Sequence, residues 1–172
     1  MSIRTMLSGS ACLAIAFACS QAWAASMNAT DRQFMATAAR LDMTEAHEGQ
    51  IAETQANRPD VKSLAKTMIQ DHTESYAELT GIAAKEGVAI PKGIDAGRDT
   101  TIRQLVHLKG ARFDRQFAAD EVAAYRHAIA VFKREAERGQ DPALKSYASK
   151  MTPILERHLQ LAEGCAKAAP HA

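Results

Sequence analysis

Four stretches of the chain, each about 25 residues long, repeat apolar side chains at the three-and-four spacing of an α-helix. In the first, Phe34, Ala38, Leu41, Glu45, Glu48 and Ala52 share one face. Thr30-Asp31-Arg32-Gln33 ahead of them reads as a capping box, with Thr30 as N-cap and Gln33 reaching back. This helix is expected to end near Ala56. The second opens at Pro59, where a missing N–H does little harm. It carries Val61, Leu64, Ala65, Met68, His72, Tyr76, Leu79 and Ile82, and stops at Gly87. The third runs from about Ala111 to Arg138, with Phe113, Phe117, Glu121, Tyr125, Ala128 and Phe132 inward and Gly139 as its stop. Asp141-Pro142 starts the fourth, an N-cap followed by proline at the first helical position. Its stripe is Leu144, Tyr147, Ala148, Met151, Leu155, His158, Ala162 and Cys165.

At ~1.5 Å rise per residue, each stretch makes a rod of roughly 38 Å. Such stripes leave water only by packing on one another, so the chain is expected to be all-α, an antiparallel four-helix bundle. The helix pairs span about residues 30–87 and 99–166. Residues 87–98, with Pro91, Gly93 and Gly97, form one long crossover connection, followed by a short extra helix over 99–108. The pairs also resemble each other. Pro59-Asp60-Val61-Lys62-Ser63-Leu64-Ala65 matches Pro142-Ala143-Leu144-Lys145-Ser146-Tyr147-Ala148, and Met68 matches Met151 and Phe34 matches Phe117 at the same offset. Duplication of a helical hairpin accounts for this, and convergence among helix-forming residues is the competing account.

The 172 residues make one ordinary domain, with 47% hydrophobic and 24% charged residues. Lys plus Arg is 21 and Asp plus Glu is 20, which gives no general pull toward nucleic acid or anionic lipid. Residues 1–24 read as a signal peptide: Arg4 supplies the positive end, Leu13 to Ala18 the apolar run, and Ala22-Trp23-Ala24 the cleavage site. The run is well short of the ~20 residues that span a bilayer. Cleavage after Ala24 would leave a domain of residues 25–172 without a transmembrane segment, periplasmic or secreted. A second reading keeps Cys19, because Ala16-Phe17-Ala18-Cys19 loosely resembles a lipobox, and a diacylated Cys19 would anchor the chain. Cys165 is left alone in the mature chain, either as a small buried residue or as a disulfide partner for another copy or another envelope protein.

Polar side chains interrupt the inner stripes: Glu45 and Glu48, His72, Glu121 and Tyr125, and His158. Buried unpaired, these groups would be expensive, so a metal or one another must satisfy them. Glu45, His72, His158, Glu121 and Tyr125 are the candidate ligands of a metal or the lining of a small-ligand site, with Asp71 behind them to orient an imidazole, and iron, zinc or manganese as the transition-metal candidates. The alternative is a closed hydrogen-bonded network in a metal-free structural or interaction protein of the cell envelope, one tied to stress. A third reading places a b-type haem between a methionine and His158. The Glu-x-x-His signature of oxygen-activating di-iron bundles is absent, since Ile69 and Leu155 stand three residues before the histidines. No phosphate-binding glycine loop or Ser-His-Asp constellation occurs, so the sequence assigns no reaction. Under the repeat offset His72 corresponds to Leu155, and His158 lies three residues, ~4.5 Å, further along, so the two rings need not share a level. Pro153 is expected to kink the last helix and re-aim His158. His47, His107 and His127 fall off the stripes and are expected in solvent.

The run Met68-Ile69-Gln70-Asp71-His72-Thr73, the preceding Pro59-Asp60-Val61-Lys62, and Met151-Thr152-Pro153-Ile154-Leu155-Glu156-Arg157-His158-Leu159 together resemble domain-of-unknown-function family 4142. The resemblance covers about residues 30–165. It implies a ferritin-like four-helix bundle in the cell envelope, with recurring polar positions at Glu45, Asp71, His72 and His158. A third-helix histidine of that family falls where this chain has Tyr125. The family has no agreed activity, so the resemblance implies a fold and a site. Its outer-membrane label does not imply a barrel here, because nothing alternates as strand.

Overall fold

A computed structural model describes residues 27–168. The expected signal peptide, its cleavage site and Cys19 lie outside the described residues. Within them the chain is all-α, without a strand: α1 is Ala29–Gln55, α2 Pro59–Glu86, α3 Asp99–Leu105, α4 Gly110–Arg138 and α5 Pro142–Lys167. A 3-10 turn, Ala96–Arg98, leads into α3. The long helices pair as α1 with α2 and α4 with α5, and the pairs meet where α2 touches α5 and α1 touches α4. No helix among the described residues is long and apolar enough to cross a membrane.

The inner stripes of α4 and α5 are buried as the periodicity predicts, from Phe113 to Phe132 and from Leu144 to Cys165. At one end Phe34, Phe132 and Tyr147 meet edge-on or tilted, with ring centroids 5.1 to 6.3 Å apart. On α2 the inner face includes Ser75 and Ala83, where Tyr76 and Ile82 were expected; those two are half-buried. Tyr76 leans outward so that its hydroxyl can donate to the carbonyl of Pro91 in the crossover at 3.2 Å. Pro153 sits on the exposed face of α5, and the helix continues on both sides of it.

The start of α1 differs from the expected capping box. Asn28, two residues earlier than Thr30, is the N-cap, and its side-chain oxygen accepts the Asp31 N–H at 2.9 Å. Thr30 lies inside the helix. Asp31 is thereby freed for a buried role: its carboxylate accepts the N–H groups of Gln140 and Asp141, at 3.2 and 2.7 Å, in the turn between α4 and α5. Asp114 on α4 does the same for the turn between α1 and α2, accepting Asn57 N–H at 3.0 Å and Arg58 N–H at 3.1 Å. The carboxylates are 83 positions apart, and so are both pairs of amides and the prolines that open α2 and α5. Each hairpin thus closes the other's turn, as a duplicated unit with a pseudo-two-fold axis would.

Two of the positions where geometry requires glycine bear on α1 and α2. Gly87 ends α2 at φ +65°, a conformation that costs other residues strain. Gly49 lets α1 approach α2 closely, since a Cβ there would stand 2.9 Å from both the Ala65 carbonyl oxygen and Ile69 Cγ1. The crossover lies along α1, held by the Asp95 N–H donating to Thr44 Oγ1 at 2.8 Å, and Asp95 in turn caps the 3-10 turn through the Gly97 N–H at 2.8 Å. That turn brings Arg98 to Glu48 on α1.

Candidate functional site

The middle of the molecule is polar. His72 on α2 and His158 on α5 are fully buried neighbours, with ring centroids 5.3 Å apart and planes tilted by 56°. Tyr125 on α4 completes the group, 5.2 Å from the His158 ring and 6.1 Å from that of His72. The three-residue advance of His158 along its helix therefore does not separate the rings.

Each imidazole has one nitrogen held by an aspartate. Asp42 Oδ1 meets His72 Nδ1 at 2.9 Å, while its Oδ2 accepts the hydroxyls of Ser75 at 2.8 Å and Tyr147 at 3.1 Å. A carboxylate with two hydroxyl donors is satisfied best by a third donor, which places the His72 proton on Nδ1 and leaves Nε2 facing the Tyr125 hydroxyl at 3.4 Å. Asp71 Oδ2 meets His158 Nε2 at 2.8 Å and also pairs with Arg157. His158 Nδ1 is buried and has no hydrogen-bond partner among the described residues. Burial and the neighbouring His72 push the His158 pKa down to about 4, against the pull of Asp71, so its ring is neutral at neutral pH. Burial also acts to lower the His72 pKa. Its bond to Asp42 and the charges of Asp42, Glu45 and Asp71 outweigh that and raise it. Burial, then the charges of Glu45 and Glu121, hold Tyr125 well above the usual phenol range, so it remains a donor.

The expected ligands do not gather at one point. Among the described residues one group of three or more ligating side chains brings its atoms within 4.8 Å of one another: Glu45 and Glu48 on α1 with Glu121 on α4. Glu45 and Glu121 thus join Glu48, while His72, His158 and Tyr125 form the adjoining group. Asp71 meets the imidazole of His158 on α5 and not that of its neighbour His72, because adjacent positions on α2 do not face each other. His47, His107 and His127 are exposed, and Cys165 is buried as a free thiol. Four participants escaped the sequence reading. Asp42 and Ser75 sit three residues from Glu45 and His72 and share their faces, a signal that a search for apolar stripes passes over. Tyr147 stands on the expected inner stripe of α5, where no role was assigned to it. Arg98 lies in a connection without periodicity.

Fold and site define an all-helical protein with a two-part polar core, imidazoles on one side and carboxylates on the other. The chain belongs to the family described as a domain of unknown function, DUF4142, which matches residues 16–164. No protein of curated function matches it. In fold it is similar to a DUF305 fragment from Deinococcus radiodurans, at TM-score 0.73 and 13% identity, covering 82% of this chain and 97% of that one. It is also similar to CopM in the Cu(II)-bound form, at TM-score 0.68 and 15% identity, covering 80% and 95%. For CopM in the Ag-bound form the TM-score is 0.65 at 15% identity, covering 80% and 95%. At such identities the likeness is one of fold.

Proposed function

We propose that the protein is an exported, ferritin-like antiparallel four-helix bundle that binds a transition-metal ion between His72 and His158. The observation that carries this reading is the arrangement of the imidazole nitrogens. Each ring has its outer nitrogen held by an aspartate and its inner nitrogen turned toward the shared interior, where His158 Nδ1 lacks a partner. A carboxylate behind an imidazole is the usual support of a metal-ligating histidine, fixing the tautomer and raising the ring's basicity. An ion with ~2.1 Å bonds to nitrogen fits between rings at this spacing. Two imidazoles with carboxylates nearby suit iron, zinc or manganese. Tyr125 donates toward the same interior and Glu45 and Glu121 supply negative charge beside it. CopM, bound to copper and silver in its structures, lends the fold a precedent for holding metal. The functional domain is residues 25–172, released to the periplasm or beyond by cleavage after Ala24.

The test is elemental analysis of the protein purified from the periplasm, followed by thermal unfolding with Fe(II), Zn(II) or Mn(II) added. Bound metal, and a rise in Tm with Fe(II) or Zn(II) that His158→Leu abolishes, is the expected result. His158→Leu removes the unpartnered Nδ1 and leaves Asp71 paired with Arg157, so it should fold. No bound metal and no shift with any of the three ions would overturn the proposal. A second reading, a metal-free structural protein whose partner is an envelope protein or another copy, draws support from Asp42, whose three hydrogen bonds satisfy it without an ion. On that reading His72→Leu with His158→Leu leaves function unchanged.

A further inference from the structure

We infer that Glu45, Glu48 and Glu121 form a second cation site, selective for a hard divalent ion, and that Arg98 is the tethered cation that fills it in the ion's absence. The inference does not rest on the imidazole site, whose nitrogens are no part of it. The three carboxylates are at most 1% exposed and offer oxygens within 4.8 Å of one another. Arg98 is the cation that meets them. It donates from Nε to Glu48 Oε1 at 3.1 Å and from the guanidinium end to Glu48 Oε2, and stands 3.7 Å from Glu121 Oε1. That fork satisfies Glu48 alone. Glu45 Oε2 and both oxygens of Glu121 are buried without a hydrogen-bond partner among the described residues. Native interiors rarely leave such atoms orphaned, and a carboxylate with both oxygens orphaned is aimed at something that accepts electron pairs.

The chemistry of the donors selects the ion. Carboxylate oxygens suit Mn(II), Mg(II) or Ca(II) and give soft Cu(I) or Ag(I) nothing to bind. Oxygens around an ion at ~2.1–2.5 Å stand ~3–4 Å apart, a spacing these three carboxylates reach with small rotations. The way in is also present. A cleft of about 320 Å³ between α1, α4 and the crossover is lined by Glu45, Arg98, Thr44, Asp95, Leu41 and Ala128, among others. Arg98 lines that cleft beside Glu45, with its side chain 21% exposed. It stands on the 3-10 turn of the crossover and not on a long helix, so its guanidinium can leave into the cleft while the bundle stays packed. An arriving divalent ion exchanges for the guanidinium and adds one net positive charge beside the three carboxylates.

The probe is MnCl2, followed by loss of the free-ion EPR signal and by calorimetric titration of the full chain. Wild-type protein should bind Mn(II) at this site, and the double variant His72→Leu, His158→Leu should keep one equivalent. Arg98→Met removes the competitor and should tighten binding about tenfold or more, while Glu121→Gln should abolish it. Glu121→Gln keeps the size and shape of the side chain and removes its acidity, so it should be folded by circular dichroism. Absence of Mn(II) binding by both wild type and Arg98→Met overturns the inference. So does binding that survives Glu121→Gln, or that the double histidine variant abolishes.

Discussion

Replacing Asp114 by alanine tests whether each hairpin closes the other's turn. Asp114 is 1% exposed and its two carboxylate oxygens take the N–H groups of Asn57 and Arg58, at 3.0 and 3.1 Å. Hydrogen bonds to a charged acceptor contribute about 1.5–3 kcal/mol each. Asn57 is exposed and Arg58 half-buried, so water recovers part of that for the orphaned amides, and alanine adds about 0.5 kcal/mol of helix propensity. The net loss should be about 2–4 kcal/mol, or roughly 5–15 °C in Tm for a domain of this size. Asp31→Ala removes the equivalent pair of bonds to Gln140 and Asp141 and a third from Asn28 Nδ2, at 2.7 Å. It also relieves Asp31's repulsion of Glu135, so its cost relative to Asp114→Ala should fall as pH rises through about 7. The two caps sit at opposite ends of α1, which is about 40 Å long, so their effects should add within about 0.5 kcal/mol. Urea and thermal unfolding followed by far-UV circular dichroism measure all of this. An Asp114→Ala protein within 0.5 kcal/mol of wild type, or a double variant far from the sum, would refute the reasoning.

Three further outcomes follow from particular side chains. Burial, then the charges of Asp31 and Asp141, push the Glu135 carboxyl from 4.5 up to about 7. The folded state therefore holds this proton more tightly than the unfolded chain, so its contribution is full below pH 4.5 and lost as pH rises through about 7. Glu135→Gln should remove that part of the slope and leave a more stable protein at about pH 8, and an unchanged difference between variant and wild type across this window would count against it. Gly49→Ala puts a methyl group 2.9 Å from the Ala65 carbonyl oxygen, a backbone atom that cannot swing away, and should destabilise by about 1–3 kcal/mol in urea titrations. Burial pushes the Cys165 thiol up to about 11, so it should resist thiol reagents in the native protein and react stoichiometrically once unfolded; fast labelling of folded protein would contradict its placement.

The parts of this fold legible in the sequence are those where burial follows from apolar spacing. On α4 and α5 every expected inner position is buried, polar interruptions included, because Glu121, Tyr125 and His158 sit in register with phenylalanines and leucines that leave no doubt about the face. On α1 the register is weaker. Asp31, Asp42 and Thr44 are as buried as Phe34, and nothing in their type announces it. A buried carboxylate is decided by its partners, and the partners of these three lie on α2, the α4–α5 turn and the crossover, at sequence distances the periodicity of one helix does not reach. Tyr76 and Ser75 show the same limit in reverse. Size favours the tyrosine for the core, but the Asp42 carboxylate selects the serine, whose hydroxyl reaches Asp42 Oδ2 and the Tyr147 hydroxyl, at 2.8 and 2.7 Å.

The repeat separates what holds the fold from what would hold a ligand. At a spacing of 83 residues Phe34 falls on Phe117, Ala65 on Ala148, Met68 on Met151, Val61 on Leu144 and Asp31 on Asp114. These are packing and turn-closing residues, and both halves keep a residue that performs the same task. At the same spacing His72 falls on Leu155, His158 on Ser75, Tyr125 on Asp42, Glu45 on Ala128, Glu48 on Val131 and Glu121 on Ala38. No member of either polar group has its like in the other half. A buried network needed only to steady a symmetric bundle would work as well in duplicate. An interior that must present converging nitrogens in one place and converging carboxylates in another cannot be symmetric about the axis through its middle. The asymmetry is therefore confined to the residues whose burial the packing does not require, which is where a bound ion would repay the desolvation that four helices impose on them.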